Sequence, residues 1–341
     1  MNTRITVATL MASMLLVGAC SNDDASPPTT MAAAMTPTTA LTTTEPPTTP
    51  TSAAEVTLVE DLVYRATEPN PWMLDVYCSP TSEGGPVVVF FHGGGMDKSH
   101  RLYEAIAEAT AFQGAVVFVP DWNDIPADDV AGFLADFDSS GCAVSYALAH
   151  ASEYGANPEW LVLAGHSGGA TVAQAAGGLR QVSPVADCVV NSGAIEADRL
   201  VLWDGDWLTG DPTWDRYGTD IPLLIDAFLP WSRLEYAPKV PVVFATASET
   251  PATSRKCGVD NPESLHWVRD PDGWFQNQLN KLGMLDDGCI DNGEVEELLA
   301  QTMQAHGFDA IHLILDDSYH VSLSEQGQTQ LVETILTPND R

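Results

Sequence analysis

Hydrophobic positions along the chain follow two rhythms. Over residues 56–64 (VTLVEDLVY) and 72–77 (WMLDVY) apolar and polar residues alternate, with a proline-containing turn between, which predicts an antiparallel strand pair at the start of the fold. Residues 86–91 (PVVVFF) and 115–119 (AVVFV) are continuously apolar, as strands buried on both faces should be. Helical spacing covers residues 100–113 and then 128–154, where Phe133, Phe137, Val144, Leu148 and Ala151 recur at intervals of three, four or seven. Further strands are predicted at 160–164, 186–190, 240–245 and 310–315, with a helix over 169–179 and an amphipathic helix at the C-terminus. Strands alternating with helices predict an α/β fold with a doubly wound, mostly parallel sheet, whose functional loops lie at the carboxyl ends of the strands.

The rhythm fails twice. Between 195 and 238 the aromatics Trp203, Trp207, Trp214, Tyr217, Phe228, Trp231 and Tyr236 crowd together, the pattern of an inserted cap whose aromatics form a small core or line an apolar pocket. A second insertion is expected over about 250–308. Residues 55–341, roughly 280 in all, suit one such domain with insertions.

The first 54 residues read differently. Arg4, an apolar run over 5–17 and small residues ending at Cys20 form a secretory signal over 1–19, too short for a confident membrane span. Val17-Gly-Ala-Cys20 resembles the lipobox of bacterial lipoproteins, which implies cleavage before Cys20 and a lipid on it. Residues 20–54 are almost wholly Thr, Pro, Ala and Ser, a disordered stalk by composition. The expected location is the cell envelope, with the membrane reached through the lipid anchor alone.

With 14 basic against 47 acidic residues the formal net charge is −33, which argues against nucleic acid and against an anionic lipid surface as partners. Apart from Cys20 there are five cysteines, Cys78, Cys142, Cys188, Cys257 and Cys289. An exported protein should form disulfides, and an odd number leaves at least one thiol unpaired. Cys257 and Cys289, in the same insertion, are the preferred pair. No C-x-x-C spacing points to a metal, and the acidic tract at 286–294 does not fit the EF-hand spacing.

The chemistry centres on Gly165-His-Ser-Gly-Gly169, which lies between a strand and a helix and reads as a nucleophile elbow of the form G-x-S-x-G with Ser167 exposed on a sharp turn. Earlier, the strand at 86–91 runs into His92-Gly-Gly-Gly95; later, Glu249 follows the strand at 240–245 and His320 follows the last strand. A glycine-rich loop, then Ser, acid and His is the chain order of α/β-hydrolases. The two motifs together resemble the carboxylesterase and lipase branch of that superfamily, including its kynurenine-formamidase-like relatives, over most of the chain after the stalk.

Serine needs a base to take its proton, the base needs a carboxylate to orient it, and the tetrahedral intermediate needs N–H donors. His320 is the expected base. Glu249 is the expected acid, where the resemblance puts it, with Asp226 and Asp260 as rivals. Gly168, following the nucleophile, is expected to supply one oxyanion donor and the loop of Gly93, Gly94 and Gly95 one or two more. His92 and His166 are read as parts of the motif turns. The resemblance implies a serine hydrolase acting on a small-molecule carboxylic ester, with no metal or cofactor. Two alternatives stay open: amide or peptide cleavage on the same fold, and a non-catalytic surface-binding protein.

Overall fold

The computed structural model describes residues 55–67, 70–122, 137–179, 185–191, 195–205, 234–249, 256–257, 289–290 and 292–338. The expected signal and stalk lie outside these residues, as do 206–233 of the aromatic stretch and most of the second insertion.

Apolar, largely β-branched residues fill the central strands. Pro86–Phe91 (β3) and Val116–Pro120 (β4) are buried at every position. Around them stand Thr57–Arg65 (β1), Trp72–Cys78 (β2), Asn157–His166 (β5), Arg199–Trp203 (β6), Val242–Ala247 (β7) and Ala310–Leu315 (β10), while Lys256–Cys257 (β8) and Cys289–Ile290 (β9) form a separate two-stranded pair. The main sheet has eight strands in the order β1-β2-β4-β3-β5-β6-β7-β10. β2 runs antiparallel to both β1 and β4, and every pairing from β4 to β10 is parallel.

Helices cover both faces. The strand period of two sends Val87, Val89 and Phe91 into a core shared with Cys142, Val144 and Ala147 of α2 (Ser140–His150) and Ala170 of α3 (Gly168–Gln174). Val88 and Phe90 enter a second core with Tyr103 and Ile106 of α1 (Arg101–Phe112) and Leu331 and Ile335 of α5 (Glu325–Leu336). Each Val, Leu, Ile or Phe among them contributes about 1.5–3 kcal/mol on full burial, and the two cores together hold the sheet between its helical layers.

Two expectations need correction. Residues 186–190 form a turn instead of a strand: Ala66 and Val189 exchange single backbone bonds across to Asp187 and Tyr64, and Cys188 is disulfide-bonded to Cys142. That tie holds the segment against the end of β1, where Val189 stays exposed. The strand that follows the elbow helix is β6, inside the stretch expected to be an insertion, with Trp203 fully buried. Likewise α4 (Asn292–Ala305), expected within the second insertion, packs on β7 and β10 as a helix of the main fold.

The backbone register sets Cys257 opposite Cys289 across β8 and β9. Cys78 is disulfide-bonded, and no cysteine among the described residues is free.

Candidate active site

All the motif residues gather at the carboxyl ends of adjacent parallel strands. β5 ends at His166, and the chain then turns at Ser167 (φ 52°, ψ −124°) into α3. This left-handed conformation is strained for a residue with a side chain. It is held by the Ser167 N–H, which donates to the Trp203 carbonyl at 2.9 Å, and by the Ala170 N–H, which donates to the Ser167 carbonyl at 3.0 Å. A Cβ on Gly165 would stand 2.1 Å from the Gly169 carbonyl oxygen, and one on Gly169 would stand 2.2 Å from that of Phe91. Close backbone approach therefore explains both glycines of the motif. The Ser167 hydroxyl makes no cap to α3 and is part-exposed.

The structure brings His320 to this edge but pairs it with a different acid. His320 Nδ1 lies 3.5 Å from Asp204 Oδ2, and Asp204 is 1% exposed. Glu249 is exposed; its backbone N–H donates to the Ser318 carbonyl at 2.8 Å, and its carboxylate makes no ion pair or hydrogen bond among the described residues. The rivals Asp226 and Asp260 lie outside the described residues.

Asp204 sits directly after β6 in a left-handed turn (φ 42°), a conformation Asp tolerates better than most residues. Its N–H donates to the Ala245 carbonyl at 2.8 Å, and its Oδ1 accepts from the Ala247 N–H at 3.1 Å. Among the described residues its Oδ2 has no hydrogen-bond partner, and it faces His320. The next residue is fixed too: the Gly205 N–H donates to Glu296 Oε1 of α4 at 2.7 Å, and the other oxygen of that fully buried carboxylate accepts from the Thr246 hydroxyl. A run of four apolar residues ending in Asp-Gly was the sequence signal for this acid.

The glycine-rich loop is anchored at several points. The Trp122 indole N–H donates to the His92 carbonyl at 2.8 Å and the two rings stack, with centroids 5.6 Å apart. The Lys98 N–H donates to Asp121 Oδ1 at 3.0 Å, and the Lys98 ammonium donates to Asp61 at 2.8 Å and Asp75 at 2.7 Å. Burial draws the Lys98 pKa down, but its hydrogen bonds to Asp61 and Asp75 outweigh this and the net shift is upward.

Not every expected donor is available. The Gly93 N–H is committed to the Tyr103 hydroxyl at 2.7 Å. Gly94 is exposed, its nitrogen lies 3.6 Å from the position a Cβ on Gly168 would take, and neither Gly94 nor Gly168 donates its N–H to a described residue. The Trp122 ring, 3.3 Å from that same position, forms a wall beside Gly168. Gly95 adopts φ 73°, which closes the loop.

His166, the variable position of the motif, is fully buried. Its Nε2 lies 2.6 Å from the His320 carbonyl oxygen and its Nδ1 lies 2.8 Å from the Tyr103 hydroxyl. Its ring lies between those of Trp203 (centroids 4.0 Å) and His320 (4.6 Å). Burial, followed by the nearby His320, holds its pKa well below the ordinary histidine range, so the ring is neutral. A carbonyl can only accept, so Nε2 carries the proton and the Tyr103 hydroxyl donates to Nδ1.

Residues 74–196 match the BD-FAE family model. No curated protein matches the chain. Among solved structures, Thermogutta terrifontis esterase 2 phosphorylated by paraoxon is similar at 18% identity, with a TM-score of 0.53 over 84% of this chain and 97% of its own. A Pyrobaculum calidifontis esterase is similar at 17% identity, with a TM-score of 0.52 over 82% of this chain and 83% of its own. The strand order, the elbow at the end of β5 and these likenesses lead to one assignment: the chain has the α/β-hydrolase fold.

Proposed function

We propose that the protein is a serine hydrolase that cleaves carboxylic esters through an acyl-Ser167 intermediate. Ser167 Oγ attacks the ester carbonyl while His320 Nε2 takes its proton, and Asp204, facing Nδ1, orients the imidazole and stabilises its charged form. The oxyanion of the tetrahedral intermediate is held by the N–H groups of Gly94 and Gly168, each worth on the order of 3 kcal/mol in the transition state. His320 returns the proton to the leaving alcohol, and water then releases the acid by the same steps in reverse.

The observation that carries this reading is the 3.5 Å approach of His320 Nδ1 to a buried carboxylate oxygen that has no hydrogen-bond partner among the described residues, directly after the strand beside the elbow strand. The Thermogutta esterase is phosphorylated by paraoxon, which supports the choice of probe. A fluorophosphonate is expected to label Ser167, and Ser167→Ala to abolish both labelling and turnover of short p-nitrophenyl esters while the fold remains. Undiminished turnover by Ser167→Ala would overturn the proposal. Export on the N-terminal signal, with a lipid on Cys20, completes it; Cys20→Ser is expected to move the protein from the membrane to the soluble fraction.

A further inference from the structure

We propose that His166 and Tyr103 are positioning residues that register the oxyanion loop against the base, through one hydrogen-bonded chain running from the Gly93 N–H to the carbonyl of His320. The proposal rests on the reading of Ser167 and His320 as nucleophile and base. The chain is continuous and each donor meets an acceptor: Gly93 N–H to Tyr103 hydroxyl at 2.7 Å, that hydroxyl to His166 Nδ1 at 2.8 Å, and His166 Nε2–H to the His320 carbonyl at 2.6 Å.

Packing alone would not select these residues. An imidazole and a phenol buried completely are costly unless their polar atoms are paired, and an apolar pair would fill the space without that cost. Their polar atoms are paired with groups in the two loops that carry the chemistry. On one side, Gly93 begins the loop whose next N–H, that of Gly94, is the proposed oxyanion donor and lies 3.6 Å from the position a Cβ on Gly168 would take. On the other, His320 lies in an exposed turn between Tyr319 and Val321, which are 50% and 51% exposed; such turns have little burial of their own to fix them. His166 Nε2 reaches the backbone of this turn at the residue that carries the base.

The consequence is geometric. The base must stand at a set place relative to the nucleophile, and the donors at a set place relative to the oxyanion, with tolerances of about half an ångström. Tyr103 and His166, adjoining Ser167 in sequence, give both groups one common reference. Removing a link is expected to leave the fold in place but to loosen the alignment that the transition state requires, so kcat should fall while KM changes little.

Three substitutions separate the links. Asn at 166 can present an acceptor near the Nδ1 position but cannot reach the His320 carbonyl, whereas Gln can place an amide N–H near the Nε2 position. Tyr103→Phe keeps the ring and removes only the hydroxyl. After titration of the reactive serine with a fluorophosphonate, kcat and KM for p-nitrophenyl acetate are measured beside the melting temperature. His166→Asn and Tyr103→Phe are expected to lower kcat about tenfold or more with KM within about twofold, and His166→Gln to recover most of the loss. Equal kcat in the Asn and Gln variants, whether kept or lost together, overturns the relay, as does parental kcat in Tyr103→Phe. The titration separates this failure from the other one: if Ser167 of the unaltered protein takes no label, the esterase reading falls and the relay with it.

Discussion

Asp204 Oδ2 faces His320 Nδ1 at 3.5 Å from the end of β6, the strand hydrogen-bonded to the elbow strand β5, while Glu249 at the end of β7 is turned to solvent. Asp204→Asn keeps the shape but removes the charge that stabilises the imidazolium, and it is expected to lower kcat by about a thousandfold or more. Glu249→Gln is expected to leave kcat within about twofold, because an exposed carboxylate contributes little to a buried site. Steady-state assays of both variants test the assignment, and the reverse ranking would restore Glu249.

Gly93 and Gly94 of the glycine-rich loop should respond differently to alanine. A Cβ at 94 meets nothing within 4 Å, whereas one at 93 would stand 2.9 Å from both His166 Nδ1 and the Tyr103 hydroxyl. Gly93→Ala is expected to cost about 1–3 kcal/mol through overpacking, and Gly94→Ala less than about 1 kcal/mol. Denaturant unfolding of the pair measures the difference; equal stabilities would contradict the close approach of Gly93 to the relay.

Lys98 bears on pH. Its pKa is raised in the folded protein, so the folded state holds the proton more tightly than the unfolded chain does. The stabilisation is present in full below the ordinary lysine value of about 10.4 and is lost as pH rises through the higher folded value. Lys98→Met leaves Asp75, 2% exposed, without its counter-charge, a loss of about 3 kcal/mol or more at neutral pH. The gap in melting temperature between parent and variant should narrow above about pH 10; a gap that stays constant would remove Lys98 as the cause.

The Cys142–Cys188 bridge closes a sequence separation of 46, and on chain-entropy grounds its loss should cost about 4 kcal/mol. Peptide mapping without reduction should recover it. Cys78 is also bonded, so within one chain its partner is one of Cys20, Cys257 and Cys289. A lipid on Cys20 and a Cys257–Cys289 bridge therefore exclude each other. A Cys20–Cys78 peptide would remove the lipid anchor, and Cys78 joined to Cys257 or Cys289 would remove the bridge expected in the second insertion.

Much of this was legible in the sequence because the constraints were local. Gly165 and Gly169 flank the serine where backbones approach within the reach of a Cβ, and the buried strands β3 and β4 are continuous apolar runs. The position of the proposed acid was not legible. Residues 186–190 offer an apolar stretch as good as that of β6, and only the Cys142–Cys188 bridge and the bonds to β1, made by residues distant in sequence, remove them from the sheet. With the strand misplaced, Asp204 fell inside a supposed insertion. The role of His166 was hidden for a similar reason: Tyr103, 63 residues away, is what gives the position meaning.

The placement of Asp204 has one more consequence. On the proposed reading the orienting carboxylate stands just after β6, and the end of β7 at Ser248 and Glu249 carries none of the reacting groups. All the reacting groups of the proposed mechanism are then held by β5, the end of β6 and the His320 turn, and the exposed corner after β7 is open to change without touching them.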